Sequence, residues 1–589
     1  MKGKKFVTLA SVCAALLCSA TFALSGCGGA TLKDNATQLA YSTGINAEGN
    51  YDESMFFRND LFTAGSADPG AVYCEEDGYF YIFVTGLSCK RTKDFVQFED
   101  MGLAFAADSD AWSYANYWAP EVIYDKESKL YYMYYSASAK GINEISQWDS
   151  LRIGIAVSEK PQGPYRDWEG TRLMPKRDAN GRRVQENGED VFVEETITKS
   201  QFPLDFTQSP YAHDNGCSDV FATIDVSPFI DDNGDVYLYF VRHTDRHNPT
   251  NSVWGVKMFD LVTPDYDTLK QLTEPGKKTV GGENNFEINN GINEGPFMLS
   301  HVTEKPNGEK VKKYYLTYSN YGYTNRGYSV ACALSDDPLG DFVKLDATDC
   351  QPILGIDADF DHMAGTAHHQ FLKYGDEYFV MYHAHANRQD INKARALAFD
   401  RIAFAYDEKY GCDLIYANGP TYSLQPLPYA LTGYKNLALE ATVTADSVAS
   451  GSSVSYLNDG RVAIGENKDY DFLSAGNSVT VTLTFDREVS VRAIMVYNGR
   501  ELVHAFSKVD LIRFDGEDGA YYIEDLIFPD AYISGKPRMR PGGAAVAEFN
   551  EIKTNKITIC ITQKVATELL PDADDVAGIS ISDIVVIGK

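Results

Sequence analysis

Between residue 45 and about residue 430 one unit recurs five times: a strand, a turn with Asp or Gly, an aromatic strand, then a polar alternating strand. The first copy is GAVYCEEDGYFYIFVTG with LSCKRTKDFVQFEDMG. The second opens at Asn116-Tyr117-Trp118-Ala119-Pro120-Glu121 and runs through KESKLYYMYYSAS to LRIGIAVSEKPQGPY. The third is DVSPFIDDNGDVYLYFVRH with SVWGVKMFD, the fourth NEGPFMLSHVTEKPNGEKVKKYYLTYSNYG with YSVACALSDDPLGDF, and the fifth GTAHHQFLKYGDEYFVMYHAHAN with ARALAFDRIAFAYD. Turns such as Asp77-Gly78, Asn233-Gly234 and Gly375-Asp376 lie between alternating apolar runs, a strong hairpin signal. A sheet of three or four strands cannot bury its own faces, so five copies predict the blades of a β-propeller in an all-β chain.

At 589 residues the chain exceeds one core. The charged segment 167–219, between the second and third copies, reads as an extended rim loop. From about residue 434 the repeat gives way to strands such as VTVTLTF, whose alternation predicts half-buried antiparallel pairs. The expected division is a signal peptide over 1–26, a tether over 27–44, a five-bladed propeller over 45–432, and a jelly-roll-like β-sandwich over 433–589.

The amino terminus places three lysines before an apolar run that ends in Leu24-Ser25-Gly26-Cys27. This predicts an export signal removed after residue 26 and lipidation of Cys27, which anchors the protein to the outside of a bacterial membrane. A spanning helix is disfavoured, because the apolar stretch is short and broken by Ser and Thr. The net charge of -30 is spread along the chain and argues against nucleic acid as partner. Seven cysteines remain beyond the signal and Cys27, an odd count with no C-x-x-C spacing, which argues against a zinc site. Cys74 and Cys89, close in sequence, read as two buried thiols. The 38 Tyr and 31 Phe fit β-structure and sugar-stacking surfaces.

Blades start near the central axis, so residues at successive blade starts converge although they are distant in sequence. Asp68 precedes the first blade, Asp225 the third and Glu294 the fourth, each near a proline that breaks the strand where it begins. Two carboxylates suffice for glycoside hydrolysis, one protonating the leaving oxygen and one activating water or attacking carbon, and a third can orient the acid. Each alone could simply cap a turn. Three at equivalent positions point to chemistry.

The ordered set Ala67-Asp68-Pro69, Tyr117-Trp118-Ala119-Pro120-Glu121-Val122, Ile224-Asp225-Val226-Ser227-Pro228, Asn293-Glu294-Gly295-Pro296 and Gly365-Thr366-Ala367-His368 resembles glycoside hydrolase family 43 over roughly residues 50–430. The resemblance implies a five-bladed propeller that hydrolyses arabinose- or xylose-containing plant glycans, sometimes galactans, with inversion. It implies Asp68 as general base, Glu294 as general acid, and Asp225 as the group that orients Glu294 and raises its pKa. His368 stands where the family has an axial histidine, often beside a hydrated calcium ion. Here Ala367 replaces the usual glycine and His369 follows, so either histidine could hold that place. Trp118 could wall a sugar subsite or pack in the core. Arg395 resembles a fifth-blade arginine that reaches toward substrate, although a surface salt bridge is the commoner fate of such a residue. The carboxy-terminal strands resemble a discoidin-like, galactose-binding-like sandwich. The competing class is a surface lipoprotein that only binds glycan, which would be expected to have lost one of the three carboxylates. A retaining five-bladed glycosidase would be expected to carry NDPNG-like and RDP motifs, and neither is present.

Overall fold

In the computed structural model the described residues are 32–43, 55–59, 65–142, 147–213, 220–245, 248–287, 291–349, 351–355, 363–385, 394–464, 470–529, 542–562 and 576–589. Cys27 and the export signal lie outside them, as do Cys217 and Cys350. Among the described residues no helix is long and apolar enough to cross a membrane.

Five antiparallel four-stranded sheets follow one another in chain order, each made of consecutive strands. Their first strands are Gly70–Cys74, Ser113–Asp125, Thr223–Ile230, Asn293–Glu304 and Ala364–Tyr374. The aromatic second strands, such as Leu130–Ala139 and Val236–Arg242, are buried almost throughout because neighbouring blades cover both of their faces. Tyr132 and Tyr134 of blade 2 pack with Leu238 and Phe240 of blade 3, and Phe80 and Ile82 of blade 1 pack with Phe379 and Met381 of blade 5. The ring is therefore closed by packing between blades 5 and 1. The Gln370 side chain adds to the closure by accepting from the Ala71 amide at 2.5 Å and donating to the Ala71 carbonyl at 3.1 Å.

The sandwich is built on two long antiparallel strands, Val479–Asn498 and Ala544–Ile561. Register shifts between Thr484 and Val489 and between Val491 and Ala493 mark bulges, which bend a strand and let it serve more than one face. One apolar cluster, including Phe472, Val481, Ile494, Phe514, Ile559 and Ile584, forms its core. Cys74 and Cys89 are buried free thiols, as read from the sequence.

Two expectations change. The described part of the tether, 27–44, belongs to the sandwich: Ala36–Gln38 pairs in parallel with Gly519–Ile527, and Tyr41–Ser42 pairs antiparallel with Ala544–Ile561. The segment is short and polar and shows no periodicity. It is ordered because its backbone satisfies strand groups contributed from the other end of the chain. The segment 167–219 is not an extended loop either, since Gly170–Pro175 pairs with Phe192–Ile197 and Gln185–Glu186 with Glu189–Asp190. Its base is pinned by buried Arg172, whose Nη1 donates to the carbonyls of Pro203 at 2.6 Å and Val262 at 2.9 Å. The high charge of the hairpin hid its strands.

Candidate active site

Every blade start carries a residue in the left-handed backbone region at an equivalent place: Asp68 (φ 51°), Ala119 (44°), Asp225 (53°), Gly295 (52°) and His368 (48°), with Asn116 and Gly365 as further ones in blades 2 and 5. This conformation costs an L-residue about 1–2 kcal/mol, so it persists only where the surroundings hold it. In blades 2 to 5 the pairing of the first strand slips at this point. Such bulges re-aim side chains.

The kinked amides are caught by the preceding blade. Ala119 N donates to Thr85 Oγ1 at 3.3 Å, Asp225 N to Ser136 Oγ at 2.9 Å, His368 N to Ser319 Oγ at 2.9 Å, and Asp68 N to His383 Nδ1 at 3.2 Å. Gly295 N instead donates to the Asp225 carboxylate at 3.1 Å. A side chain at Gly295 would stand 3.1 Å from His368 Nδ1, so both the backbone angle and the space require glycine there.

Asp68 is surrounded by donors and positive charge. Oδ1 accepts from Arg395 Nη1 at 2.7 Å and Oδ2 from Thr85 Oγ1 at 2.5 Å, with His368 Nδ1 3.5 Å from Oδ1. Burial works to raise its carboxyl pKa, but the Arg395 guanidinium beside it and the hydrogen bond from Thr85 outweigh burial and hold it well below the usual carboxylate range. Burial also keeps His383 neutral, which leaves Nδ1 free to accept from the Asp68 amide.

Glu294 has the opposite environment. Burial pushes its carboxyl up to about 7 against the hydrogen bonds from Tyr328 and Asn251, with the charge of Asp68 adding to the rise. The Asn251 amide is held in one orientation: its Oδ1 accepts from Thr244 N at 2.6 Å and Thr244 Oγ1 at 2.7 Å, which turns Nδ2 toward Glu294 Oε2 at 3.1 Å. Beneath Glu294, Asn293 Oδ1 accepts from buried Lys344 Nζ at 2.8 Å, and Lys344 is paired with buried Glu287 at 2.6 Å. Asp225 is likewise raised well above its ordinary value, by burial first and then by Glu294 and Asp68. Asp225 and Glu294 therefore compete for a proton, while Asp68 stays ionised.

The structure brings Asp68, Asp225, Glu294, His368 and Arg395 together. His368, not His369, faces the carboxylates; His369 is buried between blades 4 and 5, with Nε2 2.7 Å from Thr317 Oγ1. Arg395 is bound to Asp68 and lies 4.8 Å from the Tyr323 ring centroid, so it is not a surface ion pair. Trp118 is half-buried against Leu151, Ile224 and Val241, and Trp148 lies 5.8 Å away at 37°. Thr85, His383, Tyr328, Asn251 and Trp148 were not read as site residues from the sequence. A signal existed for two of them, because Val84-Thr85 and Tyr382-His383 share with Tyr135-Ser136 and Tyr318-Ser319 a polar residue closing an apolar second strand.

The sequence model of glycosyl hydrolases family 43 matches residues 57–179 and 209–410, more than half of the chain. The chain belongs to family 43. The matched segments of this family 43 chain contain all five blade starts and Arg395, and they omit most of the hairpin between blades 2 and 3. Over 105 residues it is 35% identical to arabinan endo-1,5-alpha-L-arabinosidase C of Emericella nidulans; the match takes in 17% of this chain and only 31% of that relative. Among solved structures, a thermostable family-43 glycoside hydrolase is 22% identical with a TM-score of 0.44, covering 63% of this chain and 99% of its own. The Cellvibrio cellulosa alpha-L-arabinanase complexed with arabinohexaose is 19% identical with a TM-score of 0.36, covering 61% of this chain and 96% of its own.

Proposed function

We propose that this protein is an inverting glycosidase acting on arabinose- or xylose-containing plant polysaccharide or its oligosaccharides. The observation that carries the proposal is the split in ionisation at the blade starts, with Asp68 kept charged by Arg395 and Glu294 kept protonated up to about 7 by burial. A charged carboxylate can accept a proton from water, and a protonated one can donate to a leaving oxygen. In this reading Asp68 is the general base, Glu294 the general acid, and Asp225 holds the acid in place and competes for its proton. The arabinan named for the Emericella nidulans relative supports a pentose-containing substrate.

Stereochemistry tests the mechanism directly. Water activated by Asp68 on the face opposite Glu294 gives a first product of inverted anomeric configuration. Proton NMR of fresh product, read before mutarotation, should show inversion during hydrolysis of an aryl arabinofuranoside, an aryl xyloside or linear arabinan. Retention would make Asp68 a nucleophile, and no turnover on any pentosan or galactan would favour the glycan-binding lipoprotein.

The pH profile follows from the same split. Glu294 must be protonated to act, so activity should fall as pH rises through about 7, while the acid limb, set by Asp68, lies far lower. Removing the last proton from the Asp225–Glu294 pair creates two adjacent negative charges, which Asp225→Asn avoids. The alkaline limb of that variant should therefore move downward. A uniform loss of rate with the limb unmoved would reduce Asp225 to a positioning group.

Calcium at His368 fits only as a hydrated ion. Among the described residues no three His, Cys, Asp or Glu side chains gather as a metal site, so one imidazole nitrogen and water would hold it. Calcium enters no step above. Lipidation at Cys27 would anchor the enzyme outside the cell, and the discoidin-like strand pattern of the sandwich suits a glycan-facing module beside the propeller.

A further inference from the structure

Strand register identifies the residue in each blade that stands ready to catch the next blade's kinked amide. Ser136 pairs with Trp118, Ser319 with Glu294 and His383 with Ala367, while Thr85 N donates to Ala67 O at 2.9 Å. Each of these partners directly precedes a left-handed residue. Each of the four polar side chains then accepts from the left-handed residue of the following blade. In blade 3 the equivalent residue, paired with Ile224, is Val241. It is fully buried beside Leu151, Ala222 and Ile224 and has no acceptor to offer. The amide left over is that of Gly295, and it is the one that donates to Asp225 Oδ2 at 3.1 Å.

We infer that Val241 is a positioning residue for the acid: by withholding an acceptor at the one gap in the ring, it commits the Asp225 carboxylate to the backbone amide that follows Glu294. The inference rests on the proposed roles of Asp225 and Glu294. Four blades bind the next blade start with a neutral side chain, and the third binds it with a carboxylate. The charge of Asp225 is thereby fixed next to Glu294 at no other cost to the ring than one apolar residue. The groups facing Asp225 are Glu294 from blade 4, Asp68 from the blade 1 start, Arg395 from blade 5, and the Tyr328 hydroxyl.

Val241→Thr keeps the shape of valine and supplies the missing hydroxyl, and Val241→Ser supplies it with less bulk; Val241→Ala removes volume and adds no acceptor. A crystal structure of the full-length Thr or Ser variant should show Gly295 N–H on the introduced hydroxyl and withdrawn from Asp225. Without that donor the Asp225–Glu294 pair gives up its last proton less readily, so the alkaline limb should rise by about one pH unit. The rate constant kcat should fall about tenfold. The limb shift is opposite in sign to that of Asp225→Asn. Val241→Ala should retain both the Gly295–Asp225 bond and the wild-type limb. The inference is overturned if Gly295 N–H stays on Asp225 in both hydroxyl variants, or if Val241→Ala shifts the limb as far as they do. If the bond moves and the limb does not, the Val241 inference stands and the reading of Asp225 and Glu294 as a proton-sharing pair fails.

Discussion

Glu294→Gln should lose hydrolysis of natural linkages by about 10²–10⁴-fold while retaining much of its rate on aryl glycosides with good leaving groups. The glutamine keeps the shape and still accepts from Asn251 Nδ2 through its carbonyl, so the hydrogen bond at 3.1 Å in the wild type has a counterpart and the fold should be intact. It has no acidic proton. A poor leaving group needs that proton as the glycosidic bond breaks, and an activated phenolate hardly does. The variant should also lose the alkaline limb near pH 7 on activated substrates, since the titrating group is gone. Steady-state kinetics on paired natural and activated substrates, with the pH profile of each, provide the check. Equal, mild losses on both classes would remove Glu294 from the role of acid.

Asp68→Asn should be as damaging, about 10²–10⁴-fold, and should spare neither class of substrate. Water must be deprotonated whatever the leaving group. The substitution also leaves the guanidinium of Arg395 facing an amide in place of the carboxylate it touches at 2.7 Å. Because Asp68 lies in the left-handed region, asparagine is among the few replacements that tolerate its backbone. An unchanged thermal transition alongside the lost rate would separate lost chemistry from lost folding. A variant that still hydrolyses activated glycosides at near wild-type rate would rule out Asp68 as the base.

The blade count and the positions of the three carboxylates were legible because both follow from local pattern. Alternating aromatic strands with Asp-Gly and Asn-Gly turns can hardly form anything but hairpins, and five incomplete sheets must stack on one another. Asp68, Asp225 and Glu294 stood out through the prolines close after them. The charged hairpin Gly170–Ile197 and the strands Ala36–Gln38 and Tyr41–Ser42 were missed for the opposite reason. They are short, polar or exposed, and their order comes from partners, not from periodicity.

What the sequence by itself determined is the list of acidic groups that reach the axis and the repeat that carries them there. The tertiary structure alone decided which carboxylate is charged, because pKa values depend on burial and on charges a few ångströms away. Those neighbours come from other blades: Arg395 lies 327 residues from Asp68, His383 lies 315 from it, and Asn251 lies 43 from Glu294. The same holds for the left-handed blade starts. Ala119 gives no sign of its φ of 44° in its own side chain, and that conformation exists because Thr85, 34 residues earlier and in another sheet, accepts its amide. Val241 is an ordinary strand residue when read locally, and only its pairing with Ile224, the register position that holds Ser136, Ser319 or His383 in blades 2, 4 and 5, marks it as the place where a polar side chain is missing.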